Sequence, residues 1–334
     1  MIALKHPSAI AAVLSLFVIA GVAAGAEKTS PAPTAPTPET KLAAPPLRPA
    51  ATPRAPEVAE IGPGVWVGVF DGVNSVWLDL GDGIAVIDTT GSEQNARALK
   101  ERIEETTKGK PIRWLILTHL HGDVNSAAGL PVFLSTEVPV YVHHRVSTAF
   151  NQALVAQGLT VPPIVSVNGT AEITGTKRKL EVVGLASPAH SNHDVMAFLP
   201  ELGLAIVGDV LVPGRCPNLT DPSADLAGML AAMDLLQKKS LRGILASGGG
   251  SSDPAVEIEA TRAYAKRLLK LLFEMKQENV PPAKIASHIR LNPIQGYCAG
   301  AIDTKNAVAL YERMTPEGKL MPGPGAAQKG PEKE

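Results

Sequence analysis

One stretch, Thr118-His119-Leu120-His121-Gly122-Asp123-Val124, constrains this chain more than any other, because it sets three metal-capable side chains directly after an apolar run, Trp114 to Leu117. Such a run reads as a buried strand, and side chains on a strand alternate faces with a period of two. A His-x-His at its end therefore points both imidazoles the same way, within reach of one cation at the usual zinc–nitrogen distance of about 2.0–2.1 Å. His190 is the candidate third ligand. Three neutral imidazoles leave a fourth position for water, as a hydrolytic zinc requires.

The rest of the chain supplies the setting. Residues 1–26 read as an export signal: Lys5 and His6 precede an apolar run from Ile10 to Ala24, and Ala24-Gly25-Ala26 fits a small-x-small cleavage site. That run is short for a membrane span of roughly 20 residues, so no stable span is expected after cleavage and the mature chain is expected in a bacterial periplasm. Residues 27–59 read as a tether, since nine prolines between Ser30 and Glu57 leave too few backbone donors for regular structure. Residues 60–320 are long enough for one domain with a sizeable core, and 321–334 form a loose Gly/Pro/Lys tail. With 31 basic and 32 acidic residues and 4% aromatics, the chain lacks the charge and the stacking surface of a nucleic-acid binder. A small-molecule substrate is the expected partner, and no protein partner can be read.

Within the domain, Val65–Phe70, Ser75–Leu80 and Ile84–Asp88 read as strands joined by glycine turns, Ser92 caps a helix to Thr107, and Ile112–Leu117 is the strand before the histidines. Strands and helices then alternate through Leu185. His190 precedes a strand, Val195–Leu199, whose hairpin partner Leu204–Val207 runs into Gly208-Asp209, so His190 and Asp209 are expected at the same end of a sheet. A glycine-rich turn, Ala246–Gly250, precedes a long helix capped by Asp253. His143 and His144 read as surface residues at a helix start, with one of them lining the cleft as the alternative, and Cys216 and Cys298, the only cysteines, could pair in an oxidising compartment or leave Cys216 as a free thiol.

This order of elements resembles the metallo-β-lactamase fold superfamily over about Ile61 to Gly249. The resemblance rests on Ala85-Val86-Ile87-Asp88-Thr89, on His119, His121 and Asp123 in the family's His-x-His-x-Asp-His motif, on His190 and on Gly208-Asp209. It implies an α/β fold, the αββα four-layer sandwich, with a metal cleft along the sheet edges. Two positions depart from the pattern: Val124 stands where the family has a second-site histidine, and Ser247-Gly248-Gly249-Gly250 replaces the turn with its last histidine. Both absent groups belong to a second metal, so one ion is expected.

The implied chemistry is hydrolysis of an ester, thioester, lactone or lactam by a zinc-activated water. His119, His121 and His190 are the expected metal ligands, Asp123 the base, and Asp209 a carboxylate that orients the water or supports a ligand. His193 is expected as a rim hydrogen-bonding group with metal ligation as the alternative, and Asp88 as a brace for its loop. His119, His190 and Asp209 also make the two-histidine, one-carboxylate set that suits mononuclear iron, as in the sulfur dioxygenases of this superfamily. A non-catalytic binding protein that has lost the second metal site is the third reading.

Overall fold

The structure, a computed structural model, describes residues 56–120, 129–289 and 301–321. Thirteen strands run along the described chain: β1 (Glu57–Gly62), β2 (Val65–Phe70), β3 (Val73–Asp79), β4 (Ile84–Ile87), β5 (Ile112–Ile116), β6 (Val140–His143), β7 (Ile164–Val167), β8 (Thr170–Thr174), β9 (Lys179–Gly184), β10 (Val195–Leu199), β11 (Leu204–Ile206), β12 (Gly243–Ala246) and β13 (Gly249–Ser251). The first seven form one sheet in sequence order, and the other six form a second in the order β13-β12-β11-β10-β9-β8. The helices are α1 (Glu93–Thr107), α2 (Ser147–Ala156), α3 (Leu226–Gln237), α4 (Pro254–Gln277), α5 (Ile285–His288) and α6 (Ala301–Tyr311).

The period of two decides the layering. In β4, Ile84 and Val86 pack with Trp77, Leu99 and Leu154 under α1 and α2, whereas Ala85 and Ile87 face the other sheet. In β10, Val195, Ala197 and Leu199 meet Val76, Leu78 and Ile116 between the sheets, while Met196 and Phe198 turn outward to Met229, Leu268 and Leu310 on α3, α4 and α6. Each fully buried side chain of this kind contributes about 1.5–3 kcal/mol, so strands apolar on both faces are held from both sides. The result is the αββα sandwich.

Local chemistry sets the joints. Asp71 and Gly72, at φ 51° and 82°, make the tight β2–β3 hairpin. Ser92 Oγ accepts from Asn95 N–H at 3.2 Å to start α1, and Asp225 accepts from Gly228 N–H at 2.9 Å to start α3. Two boundaries differ from the sequence reading. Residues 57–59, assigned to the tether, belong to β1, because the open edge of β2 pairs with them from Glu57↔Val69 onward. Gly249 and Gly250, read as part of a turn, pair with β12 as part of the edge strand β13.

β4, β5, β6 and β7 run parallel, as do β11 and β12, and the carboxyl ends of β4, β5, β11 and β12 meet at one edge of the sandwich. Three hydrogen bonds show the meeting: Val195 N–H to the Thr118 carbonyl at 2.7 Å, Asn74 N–H to the Ser247 carbonyl at 2.7 Å, and Ser247 N–H to the Gly208 carbonyl at 3.0 Å.

Candidate metal centre

Two imidazoles and a carboxylate converge at that edge. β5 stops at Ile116, so His119 sits in the loop beyond it, and its direction comes from hydrogen bonds rather than from strand alternation. Thr118 supplies them. Its N–H donates to Asp88 Oδ1 and its hydroxyl to Asp88 Oδ2, both at 2.8 Å. With its one proton committed to the carboxylate, the hydroxyl receives Nδ1–H of His119 at 3.0 Å, which leaves the lone pair of His119 on Nε2. Asp88 thus braces the loop that carries His119. Burial pushes its carboxyl up to about 6, against the two Thr118 hydrogen bonds and with help from the charge of Asp209.

His190 is fully buried, and its tautomer is settled by its partner. The Asn218 carbonyl lies 2.7 Å from Nδ1 and can only accept, so the proton is on Nδ1 and the lone pair of the ring is on Nε2, the atom that faces Asp209. His119 Nε2 lies 3.8 Å and His190 Nε2 3.9 Å from the same atom, Asp209 Oδ2. Two ligands on one zinc ion at a tetrahedral angle stand roughly 3.4 Å apart, so these donors would have to draw closer together to close on a cation. The three donor atoms lie within 4.8 Å of one another, the two rings meet edge to face, and Asp209 stays partly open to solvent. The donor set fits a divalent metal.

Asp209 reaches the site because Gly208 permits it. Gly208 has φ 58°, and a Cβ there would fall 2.8 Å from Thr118 Cβ, so only glycine lets β11 end against β5. The expected ligand His121, the expected base Asp123 and Val124 lie outside the described residues, as does Cys298.

The loop from Leu185 to Asp194 that carries His190 is fastened from several sides. Arg145 donates to the carbonyls of Ala186 at 2.5 Å and Asn192 at 2.9 Å, one on each side of His190. The Asp194 carboxylate accepts from Ser191 N–H and Oγ. His193, expected at the rim, is instead buried: its ring nitrogens meet the Leu120 carbonyl and, at 2.5 Å, Asn192 Oδ1. Burial lowers its pKa, and the hydrogen bond to Leu120 opposes the shift.

His143, read from sequence as a surface residue, is also buried. Nε2–H donates to the Leu185 carbonyl at 2.9 Å while Nδ1 accepts from Arg145 N–H at 3.1 Å. Desolvation, with positive charge from His144, Arg145 and His193, holds it down at about 4 despite the Leu185 hydrogen bond. Its position at the carboxyl end of a parallel strand was the available signal.

The turn that lacks the family's last histidine is held by Asn74, which is buried and donates to the carbonyls of Ala246 at 2.7 Å and Gly249 at 2.9 Å. Two surface cavities of about 570 and 310 Å³ lie along α1, lined by Lys100, Glu104 and Val132, and share no residue with the metal-capable set. Among the described residues no helix is long and apolar enough to cross a membrane.

Comparison with known proteins agrees with this fold. Among curated proteins there is no match. Among solved structures, the fold is similar to the stereoselective inverting sec-alkylsulfatase Pisa1 from Pseudomonas sp., with 15% identity and a TM-score of 0.62 over 77% of this chain and 50% of that one. This chain therefore spans about half the length of that enzyme. It is also similar to a metallo-beta-lactamase from Pontibacter korlensis, at 18% identity and TM-score 0.53 over 63% of this chain and 99% of that one. A third is the metallo-beta-lactamase FIM-1 from Pseudomonas aeruginosa in its mono-zinc form, at 21% identity and TM-score 0.50 over 64% and 96%. The family model of the metallo-beta-lactamase superfamily matches residues 68–246. That match covers more than half of the chain and includes every strand that ends beside a metal-capable side chain, and on it the chain belongs to the metallo-beta-lactamase superfamily.

Proposed function

We propose that this chain is a hydrolase that uses one zinc ion, held by His119, His190 and Asp209, to cleave an ester-type bond in a small molecule. The observation that carries the reading is the convergence of two imidazole lone pairs on one carboxylate oxygen, each ring turned by a hydrogen bond on its far nitrogen. Bound there, zinc supplies Lewis acidity and a water acidified towards neutrality. The residues of the chain do the orienting. Thr118 and the Asn218 carbonyl hold protons on the two Nδ1 atoms, and Asp209 sets a negative charge against the cation while leaving a solvent-facing side for substrate.

The substrate class is an ester, thioester, lactone or lactam, and the fold shared with a sec-alkylsulfatase adds sulfate esters to those worth assaying. A second reading has a specific observation behind it. Two histidines and one carboxylate are the set that suits mononuclear iron with open positions, so an oxygen-using enzyme is the alternative. Export to an oxidising compartment is part of the proposal, and the disulfide at Cys216 supports it.

Elemental analysis of protein purified without added metal, beside His190→Ala and Asp209→Ala, tests the reading. The expected result is about one zinc per chain, lost in both variants, with hydrolysis of at least one panel substrate falling by about 10²-fold or more. Iron in place of zinc would transfer the site to oxygen chemistry. Protein that holds no metal even after zinc is supplied would overturn both readings and leave a fold used for binding.

A further inference from the structure

The carbonyl that orients His190 is itself held by a residue far along the chain. Asn306 lies on α6, fully buried, and makes three hydrogen bonds of 2.8 Å. Its Oδ1 accepts from Leu219 N–H, and its Nδ2 donates to the Pro217 carbonyl and to Tyr264 Oη on α4. The first two bonds bracket residue 218 from either side. Between them stands the carbonyl that takes Nδ1–H of His190.

A buried asparagine that only satisfied its own helix would bond within that helix or to its packing neighbours. This one spends one donor and its acceptor on a single loop residue's flanking peptides, and steadies itself through Tyr264. The same loop is fastened again by the disulfide at Cys216. Both helices concerned, α4 and α6, lie beyond residue 246, where the family match ends.

We infer that Asn306 is a positioning residue for the metal centre, fixing the Asn218 carbonyl so that His190 presents Nε2 to the ion. The inference rests on the reading of His190 as a metal ligand. Its consequence is that the C-terminal helical layer sets metal affinity as well as stability, because a partner on the far nitrogen of a ligating histidine fixes its tautomer and direction.

The test measures zinc affinity of the full chain by competition with a chromophoric chelator, for the wild type, Asn306→Ala, Tyr264→Phe, Tyr311→Phe and His190→Ala. Tyr311 is the control: it is buried in the same layer and its hydroxyl donates to the Met275 and Val280 carbonyls without touching the loop. Asn306→Ala is expected to weaken zinc binding about 10–100-fold, and Tyr264→Phe less, with Tyr311→Phe within about twofold of wild type. The d–d spectrum of the cobalt-substituted protein should change in Asn306→Ala and not in Tyr311→Phe. Should Asn306→Ala fail to fold, Tyr264→Phe carries the comparison. Unchanged affinity in the Asn306 and Tyr264 variants, or equal weakening in Tyr311→Phe, would overturn the inference. Zinc held by His190→Ala as tightly as by the wild type would instead overturn the reading of the site itself.

Discussion

At the scale of single residues, each side chain at the site edge has its two ends used for different purposes. His119 and His190 commit Nδ1 to the protein and turn Nε2 towards Asp209. His143 commits both nitrogens to the backbone, one as donor and one as acceptor, so its neutral form is built into the fold. A second proton would have to sit on Nδ1, facing the N–H of Arg145. The folded-state pKa of about 4 lies below the unfolded value near 6.5, so the unfolded chain binds the extra proton first. The contribution of His143 is therefore whole above pH 6.5 and is lost as pH falls towards 4. Unfolding free energies from urea titration should decline across that window by an amount on the order of 2 kcal/mol, and His143→Gln should flatten the decline. An equally steep decline in the variant would assign it to other groups.

At the scale of elements, the site depends on loops held at backbone contact by missing side chains. A Cβ on Gly228, in the first turn of α3, would lie 1.6 Å from the Pro188 carbonyl oxygen, two residues before His190. Gly228→Ala must drive α3 and the His190 loop apart, for about 1–3 kcal/mol of stability, and should lower zinc content along with the melting temperature. Gly91→Ala, with nothing within 4 Å of the new methyl and no positive φ, is the matched control and should stay within about 0.5 kcal/mol of wild type. A Gly228→Ala protein with full zinc content would show that the loop absorbs the push without moving His190.

At the scale of the whole molecule, two sheets present their parallel strand ends at one edge, and the outer helices α3, α4 and α6 close over the second sheet. The disulfide at Cys216 ties the loop beneath this layer. Adding a reductant should lower unfolding free energy by about 2–4 kcal/mol in the wild type and by almost nothing in Cys216→Ala, measured by denaturant titration with and without it. Equal sensitivity in both would remove the disulfide from the account of stability.

Much of this was legible in the chain itself. Period-two apolar runs with glycine turns and the capping residues Ser92 and Asp253 mark the strands and helices, because those signals act over a few residues and need no distant partner. Asp88, His119, His190 and Asp209 could be named from motif and order for the same reason. What the sequence by itself left undecided is everything set by contact across long separations. Asn74 reaches the end of β12 over 172 residues, Asn306 reaches Pro217 over 89, and His143 reaches Leu185 over 42. No local pattern distinguishes such a residue from a solvated one, since an amide or imidazole satisfied by a carbonyl and one satisfied by water look alike until the chain is packed. The sequence determined the sandwich and the residues available to a metal. Only tertiary structure decided that His193 and His143 are interior braces, and that Nε2 of His119 and of His190 face one oxygen of Asp209.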